Sequence, residues 1–146
     1  MILNLINSSK VRMPRRYIQK QCYQIKKLLQ KMKVQNADRL NLELSIVFLD
    51  SAPAKKMNFQ YRQKNYATDV LSFDGDFIEG MGELILCPEV LKKQSLQHDL
   101  SFQQELTYML IHGVLHLLGY DHETSKKDAQ RMFHIQDSVF DKIVNL

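Results

Sequence analysis

The sequence predicts an α/β (α+β) single domain, a mixed sheet of about four strands with about five helices packed on it, and three observations point there. Short runs with strand character alternate along the chain with longer segments whose apolar residues recur at helical spacing, the mixture that layers helices on a sheet. At 146 residues and 45% hydrophobic, the chain can bury one ordinary core and is too short for two comfortable domains. Three of its five histidines fall between His112 and His122, on and just after a segment that reads as a central helix.

Residues 2–7 read as a short strand and residues 8–14 as a connection. Pro14 suits the first turn of a helix, where a missing N–H costs nothing, and Ile18, Cys22, Ile25, Leu28, Leu29 and Met32 then form one apolar stripe. Lys20, Lys26, Lys27, Lys31 and Lys33 fall mostly off that stripe. From Leu40 to Leu49 the chain alternates, with Leu42, Leu44, Ile46 and Phe48 on one face, as a sheet strand does. Ser51 can cap a short helix with Pro53 near its start, running to about Arg62. The region from Gln63 to Phe73 is loop and strand, β-rich from Val70 to Phe73, and Asp74-Gly75-Asp76 reads as a turn. Glu83 to Cys87 is a compact apolar strand built on Leu84, Ile85 and Leu86, and Pro88 opens a helix through about Gln97. Ser101 with Gln104 is a capping-box pattern that starts the central helix, whose Leu106, Leu110, Val114 and Leu117 should face the core. Ser125 with Asp128 starts a last helix to about Val144, with Met132, Phe133, Val139, Phe140 and Ile143 inward.

On the central helix, residues four apart are rotated by about 40° and raised by about 6 Å, so His112 and His116 project from one face and can converge on one ion. Gly119 follows three residues on, and glycine ends a helix in the left-handed conformation without a Cβ clash, letting the chain fold back. His122 then becomes the third imidazole. Three neutral imidazoles suit zinc and leave one tetrahedral position open, the arrangement of a catalytic rather than a closed structural site. Two histidines alone would read as polar tips on a half-buried helix face; the third, placed across the glycine, makes the metal the better reading. The spacing H-x-x-x-H-x-x-G-x-x-H is also that of metzincin proteases, which carry a glutamate general base directly after the first histidine. Here that residue is Gly113, so the ligand geometry is kept while the protease chemistry lacks its proton acceptor.

The net charge of +4 is unevenly placed. Residues 1–39 carry ten Lys/Arg and one acid, Asp38, whereas residues 40–146 carry ten against fifteen. Such asymmetry suits a polyanionic partner, most often nucleic acid, because neutralising phosphates releases counterions; a solvated lysine-rich helix face is the bland alternative. No apolar run approaches the roughly 20 residues of a membrane span, and the first residues lack a basic lead and a signal-length apolar stretch, so the expected location is the cytoplasm. Cys22 and Cys87 are isolated, and there they read as buried small apolar residues rather than a disulfide or ligands.

At His112 to His122, together with Asn58-Phe59-Gln60-Tyr61-Arg62 and Thr68-Asp69-Val70-Leu71-Ser72-Phe73, the sequence resembles the YbeY family of bacterial zinc-dependent endoribonucleases, also called rRNA maturation factors. The strings HGVLHLLGYDH and TDVLSF stand in the family's order and with its gap, and the likeness runs along nearly the whole chain. The resemblance implies one zinc ion held by His112, His116 and His122. It also implies a cytoplasmic single domain acting on single-stranded RNA in 16S rRNA 3′-end maturation and ribosome quality control, with the ribosome or ribosomal proteins as partners. Arg62 falls on the arginine of the family's N-x-x-Y-R motif, which the resemblance marks as functional. The chain departs from the family at Asn65, usually acidic, at Ala67, usually proline, and at Gly82-Glu83, usually Gly-Asp, all outside the metal triad.

Phosphodiester cleavage is therefore the expected chemistry. Arg62 is a candidate to hold the scissile or an adjacent phosphate, since a guanidinium makes two parallel hydrogen bonds to phosphate and stays charged; otherwise it is a surface arginine ending a short helix. Asp121 could orient a ligand imidazole, accept a proton, or simply cap the turn. His98 and His134 read as surface or helix-face residues. Two rival classes stand beside the nuclease: a metalloprotease, opposed by Gly113, and a non-catalytic ribosome-associated factor with a mainly structural zinc and a basic first helix that contacts rRNA.

Overall fold

Apolar residues at period two and at helical period sort the chain into alternating strands and helices, seen here in a computed structural model. The elements run β1 (Ile2–Ser8), α1 (Arg15–Lys31), a 3-10 helix (Ala37–Asn41), β2 (Glu43–Leu49), α2 (Ser51–Arg62), β3 (Val70–Asp74), β4 (Gly80–Leu86), α3 (Pro88–Gln97), α4 (Phe102–Leu117) and α5 (Lys126–Val144). The structure describes residues 1–62, 69–74 and 80–145, the side chain of Arg62 excepted. The loop positions Asn65 and Ala67 and the expected turn residues Gly75 and Asp76 therefore lie outside the described residues.

The sheet is ordered β1-β2-β4-β3. β1, β2 and β4 are parallel, and β3 joins the edge antiparallel to β4. The mixed α+β architecture expected from the sequence is thus observed. Alternation does its work in β2, where Leu44, Ile46 and Phe48 are fully buried while the residues between them are not. The expected strand from Leu40 begins later, because residues 37–41 wind into the 3-10 helix and bury Leu40 there instead. β4 starts earlier than expected, at Gly80, since its register with β2 shifts between Glu43 and Leu44, and Arg39 donates to the Met81 carbonyl at 3.1 Å.

α4 is apolar on nearly every face, which is the signature of a helix enclosed by its neighbours. It lies across β3 and β4, with α1, α3 and α5 packed around it. A capping box fixes its start: Ser101 Oγ accepts from the Gln104 N–H at 3.1 Å, and Gln104 Oε1 accepts from the Ser101 N–H at 3.0 Å. α1 runs alongside through its buried stripe Ile18, Cys22, Ile25 and Leu29, and Thr107 of α4 donates to the buried Gln21 at 3.1 Å. Where α4 crosses β4, Gly113 lies so close that a Cβ would sit 2.7 Å from Cδ2 of the fully buried Leu84. The residue after the first histidine thus packs against the sheet, where any larger side chain would need Leu84 to move aside.

Both cysteines are buried and unpaired, as expected. His98 is exposed, yet its Nδ1 lies 3.0 Å from Oε2 of the fully buried Glu105, so it also satisfies an interior carboxylate. His134 is exposed on α5.

Candidate metal centre

The chain reverses after α4 through a glycine cap. The Gly119 N–H donates to the His116 carbonyl and the Tyr120 N–H to the Leu115 carbonyl, each at 3.0 Å, and Gly119 adopts φ +98. These paired bonds close the last turn and satisfy carbonyls the helix leaves open. The turn is also held from outside: Gln35 Nε2 and Asn36 Nδ2 donate to the Leu118 carbonyl at 3.2 and 2.9 Å, and the Gln35 N–H donates to the Tyr120 hydroxyl at 3.2 Å. Asp121 then accepts the Glu123 N–H at 2.8 Å, an Asx turn around His122. The expected glycine turn is present, and its brace from residues 35 and 36 is a feature that the local sequence pattern does not reveal.

This geometry brings the three imidazoles together. Ring centroids are 4.6 Å apart for His112 and His116, 5.1 Å for His112 and His122, and 5.0 Å for His116 and His122. One nitrogen from each ring lies within 4.8 Å of the others, an arrangement that could hold a metal ion.

The donor atoms fit one. Nδ1 of His112 lies 3.0 Å from Oε1 of Gln136, and Gln136 Nε2 donates to the Tyr108 carbonyl at 3.4 Å, so the amide oxygen is the end facing the ring. An acceptor there places the proton on Nδ1 and leaves Nε2 as a lone pair. The two Nε2 atoms stand 3.1 Å apart, close to the roughly 3.3 Å between two nitrogens bound tetrahedrally at about 2.05 Å from one zinc ion. Nδ1 of His122 is buried with no hydrogen-bond partner among the described residues, an orphan that a metal would satisfy.

Burial keeps the His112 and His116 rings neutral and ready to bind. It lowers the pKa of His112, and it lowers that of His116 from 6.5 to about 4, with the neighbouring His112 and His122 adding to the effect. Between those two values the unfolded chain binds the proton that the folded chain refuses, so stability is lost as pH falls through that window. The metal-free protein should accordingly show a thermal midpoint that declines from pH 6.5 towards 5 and is flat with respect to this group above it. A midpoint unchanged from pH 7 to 5 would contradict the neutral-imidazole reading.

The centre opens into a cleft of about 870 Å³. Tyr61, Asp69, Tyr108, Asp121 and Phe133 contribute to its walls. Asp69 and Asp121 lie near enough to raise the pKa of His112 and His116 respectively against the burial effect. Among the described residues no further side chain joins the histidine trio as a potential ligand. Arg62 ends α2, whose neighbouring Tyr61 reaches the cleft and packs edge-on against Phe73 at 5.3 Å; the Arg62 side chain lies outside the described residues. Phe133, expected in the core, is 37% exposed and stands 5.7 Å from the His122 ring as part of the cleft wall. Sequence reasoning missed Gln136, although a glutamine four residues after Met132 on an otherwise apolar helix stripe was a visible signal.

An α+β sheet carrying a three-imidazole centre at the end of a buried helix, open to a cleft, defines a class of α+β protein with one candidate metal site among its described residues. Within that class the chain belongs to the YbeY family: the family model described as Endoribonuclease YbeY matches residues 5–144. The chain is similar to Endoribonuclease YbeY of Bdellovibrio bacteriovorus, 54% identical over 140 residues that cover 96% of this chain and 93% of that protein. It is similar also to Endoribonuclease YbeY of Petrotoga mobilis, 35% identical over 145 residues that cover 99% and 96%. Among solved structures, its fold matches the solution structure of TM1509 from Thermotoga maritima with TM-score 0.66 and 24% identity, covering 97% of this chain and 89% of that one.

Proposed function

We propose that this chain is a zinc-dependent, single-strand-specific endoribonuclease acting in 16S rRNA 3′-end maturation and ribosome quality control in the cytoplasm. The observation that carries the reading is the convergence of His112, His116 and His122 on an open cleft in a member of the YbeY family. Zinc bound by these residues would supply Lewis acidity, lowering the pKa of a bound water towards about 7 or polarising a phosphoryl oxygen.

The chain's own residues supply the rest. His112 and His116 offer nitrogens kept neutral by burial, and His122 completes the trio. Asp121 holds the turn that aims His122 and places negative charge beside His116. Arg62, at the end of α2, is assigned to the phosphate, where a guanidinium can grip two oxygens and orient the phosphodiester. The ribosome or its proteins would present the RNA. Among the described residues no helix is long and apolar enough to cross a membrane.

The protease reading loses support at Gly113, which stands where the glutamate base would be and packs closely against Leu84. The structural-zinc reading needs a fourth protein ligand, and among the described residues none accompanies the trio.

The test pairs substrates and metal states. Zinc-loaded protein should cut labelled single-stranded RNA, lose that activity on chelation and regain it with zinc, while leaving a peptide library intact; peptide cleavage without RNA cleavage would overturn the assignment. Arg62→Ala should lose RNA cleavage with the zinc content unchanged. Wild-type cleavage by that variant removes Arg62 from the phosphate role.

A further inference from the structure

Helix α1 carries a feature that its packing does not require. Its 17 residues include no Asp or Glu. Arg16, Lys20, Lys27 and Lys31 are exposed along a single face, with Tyr23 between them exposed to 63%. Arg16 with Lys20 and Lys27 with Lys31 are like charges four residues apart, a spacing that weakens a helix, whereas an ordinary solvated face intersperses acids at that spacing. No ion pair engages these cations among the described residues, where the ion pairs found involve His98 and His122.

We propose that this face is a docking track for single-stranded RNA, with Arg16, Lys20, Lys27 and Lys31 on successive phosphates and Tyr23 as a stacking platform for one base. The inference deepens the reading of RNA as substrate and rests on it. Charge complementarity selects a polyanion. The stripe spans about 22 Å at about 1.5 Å per residue, the reach of a segment of several nucleotides. Cations beside an exposed aromatic are the combination that binds single strands without reading sequence. An anionic membrane fits less well, because the apolar face of α1, Ile18, Cys22, Ile25 and Leu29, is sealed in the core and cannot enter lipid.

The chain just beyond α1 is tied to the turn beside the metal centre. α1 lies alongside α4, with Gln21 bonded to Thr107 near its start. Just beyond its end, Gln35 and Asn36 hold the Leu118 carbonyl and Gln35 meets the Tyr120 hydroxyl, on the turn that carries Asp121 and His122. Helix α1 is thereby held in a fixed position relative to the turn that carries the third imidazole.

The test measures binding of full-length, zinc-loaded protein to a fluorescent 2′-O-methyl uridylate 12-mer across salt concentrations. In the triple variant Lys20→Gln, Lys27→Gln, Lys31→Gln, affinity near 0.15 M salt should fall by at least about tenfold. The slope of log affinity against log salt should become shallower by about 2, from roughly 0.7 per lost phosphate contact on a single strand. Zinc content should not change, and the thermal midpoint should not fall, since the substitutions relieve like-charge repulsion along α1. Tyr23→Ala should weaken binding by about fivefold or more with the slope unchanged, and Tyr23→Phe should restore it. Wild-type affinity and slope in the triple variant overturn the proposal, as does a loss confined to vesicles containing phosphatidylglycerol or to acidic peptides. A wild-type protein that binds the 12-mer through this face yet cuts no RNA refutes the nuclease reading alone. One that cuts RNA equally well with and without the three lysines, with the same binding slope, refutes the track alone.

Discussion

His116→Ala is expected to abolish zinc retention and RNA cleavage together while leaving the fold intact. The His116 ring stands 4.6 and 5.0 Å from the centroids of the other two, and its Nε2 is the atom that faces His112 Nε2 at 3.1 Å. Removing it leaves two imidazoles, too few for a tight zinc site in a protein that offers no further ligand beside them among the described residues. The helix itself should persist, because alanine is the best helix former and the packing of α4 rests on Leu106, Leu110, Val114 and Leu117 rather than on the half-buried histidine. Zinc measured after dialysis, cleavage of single-stranded RNA and circular dichroism separate the outcomes. Full cleavage by a metal-free preparation of this variant would remove the zinc mechanism, and loss of helical signal would show His116 to be structural instead.

The site's backbone was legible because it is local. Two histidines at helical spacing, a glycine, and a third histidine occupy eleven consecutive residues, and the physics joining them is the helical repeat and one left-handed residue. The strands and helices were legible for the same reason, since Leu44, Ile46 and Phe48 or Ile18, Cys22, Ile25 and Leu29 announce their period within a short window. What the sequence hid is what arrives from far along the chain. Gln35 and Asn36 brace a turn more than eighty residues away in sequence, as their separations of 83 and 82 show. Phe133 matches the apolar period of α5 and so looked inward, but it lies where that helix passes the metal centre, and the cleft takes it out of the core. Gly113 was read only as a missing base; its close contact with Leu84 depends on how α4 crosses β4. Leu40 satisfied strand alternation and still went to the 3-10 helix, because burial of one leucine does not distinguish the two.

Gln136→Leu should lower zinc affinity by about tenfold to a hundredfold, the effect expected when the residue that orients a metal-binding histidine is lost. Gln136 is fully buried and its amide oxygen accepts from His112 Nδ1 at 3.0 Å, which fixes both the ring's rotation and the nitrogen left free for the metal. Leucine has similar bulk but no acceptor, so the ring can rotate, and its N–H, now unpartnered, costs about 1–3 kcal/mol. Gln136→Glu keeps an acceptor at that point and, facing an imidazole that shares charge with a cation, should hold zinc about as well as the wild type. A purely structural role would lower the thermal midpoint in both variants without separating their zinc affinities. Competition against a fluorescent chelator decides: wild-type affinity in Gln136→Leu would mean that packing alone aims His112, whereas weak binding by leucine with rescue by glutamate assigns the aim to the hydrogen bond.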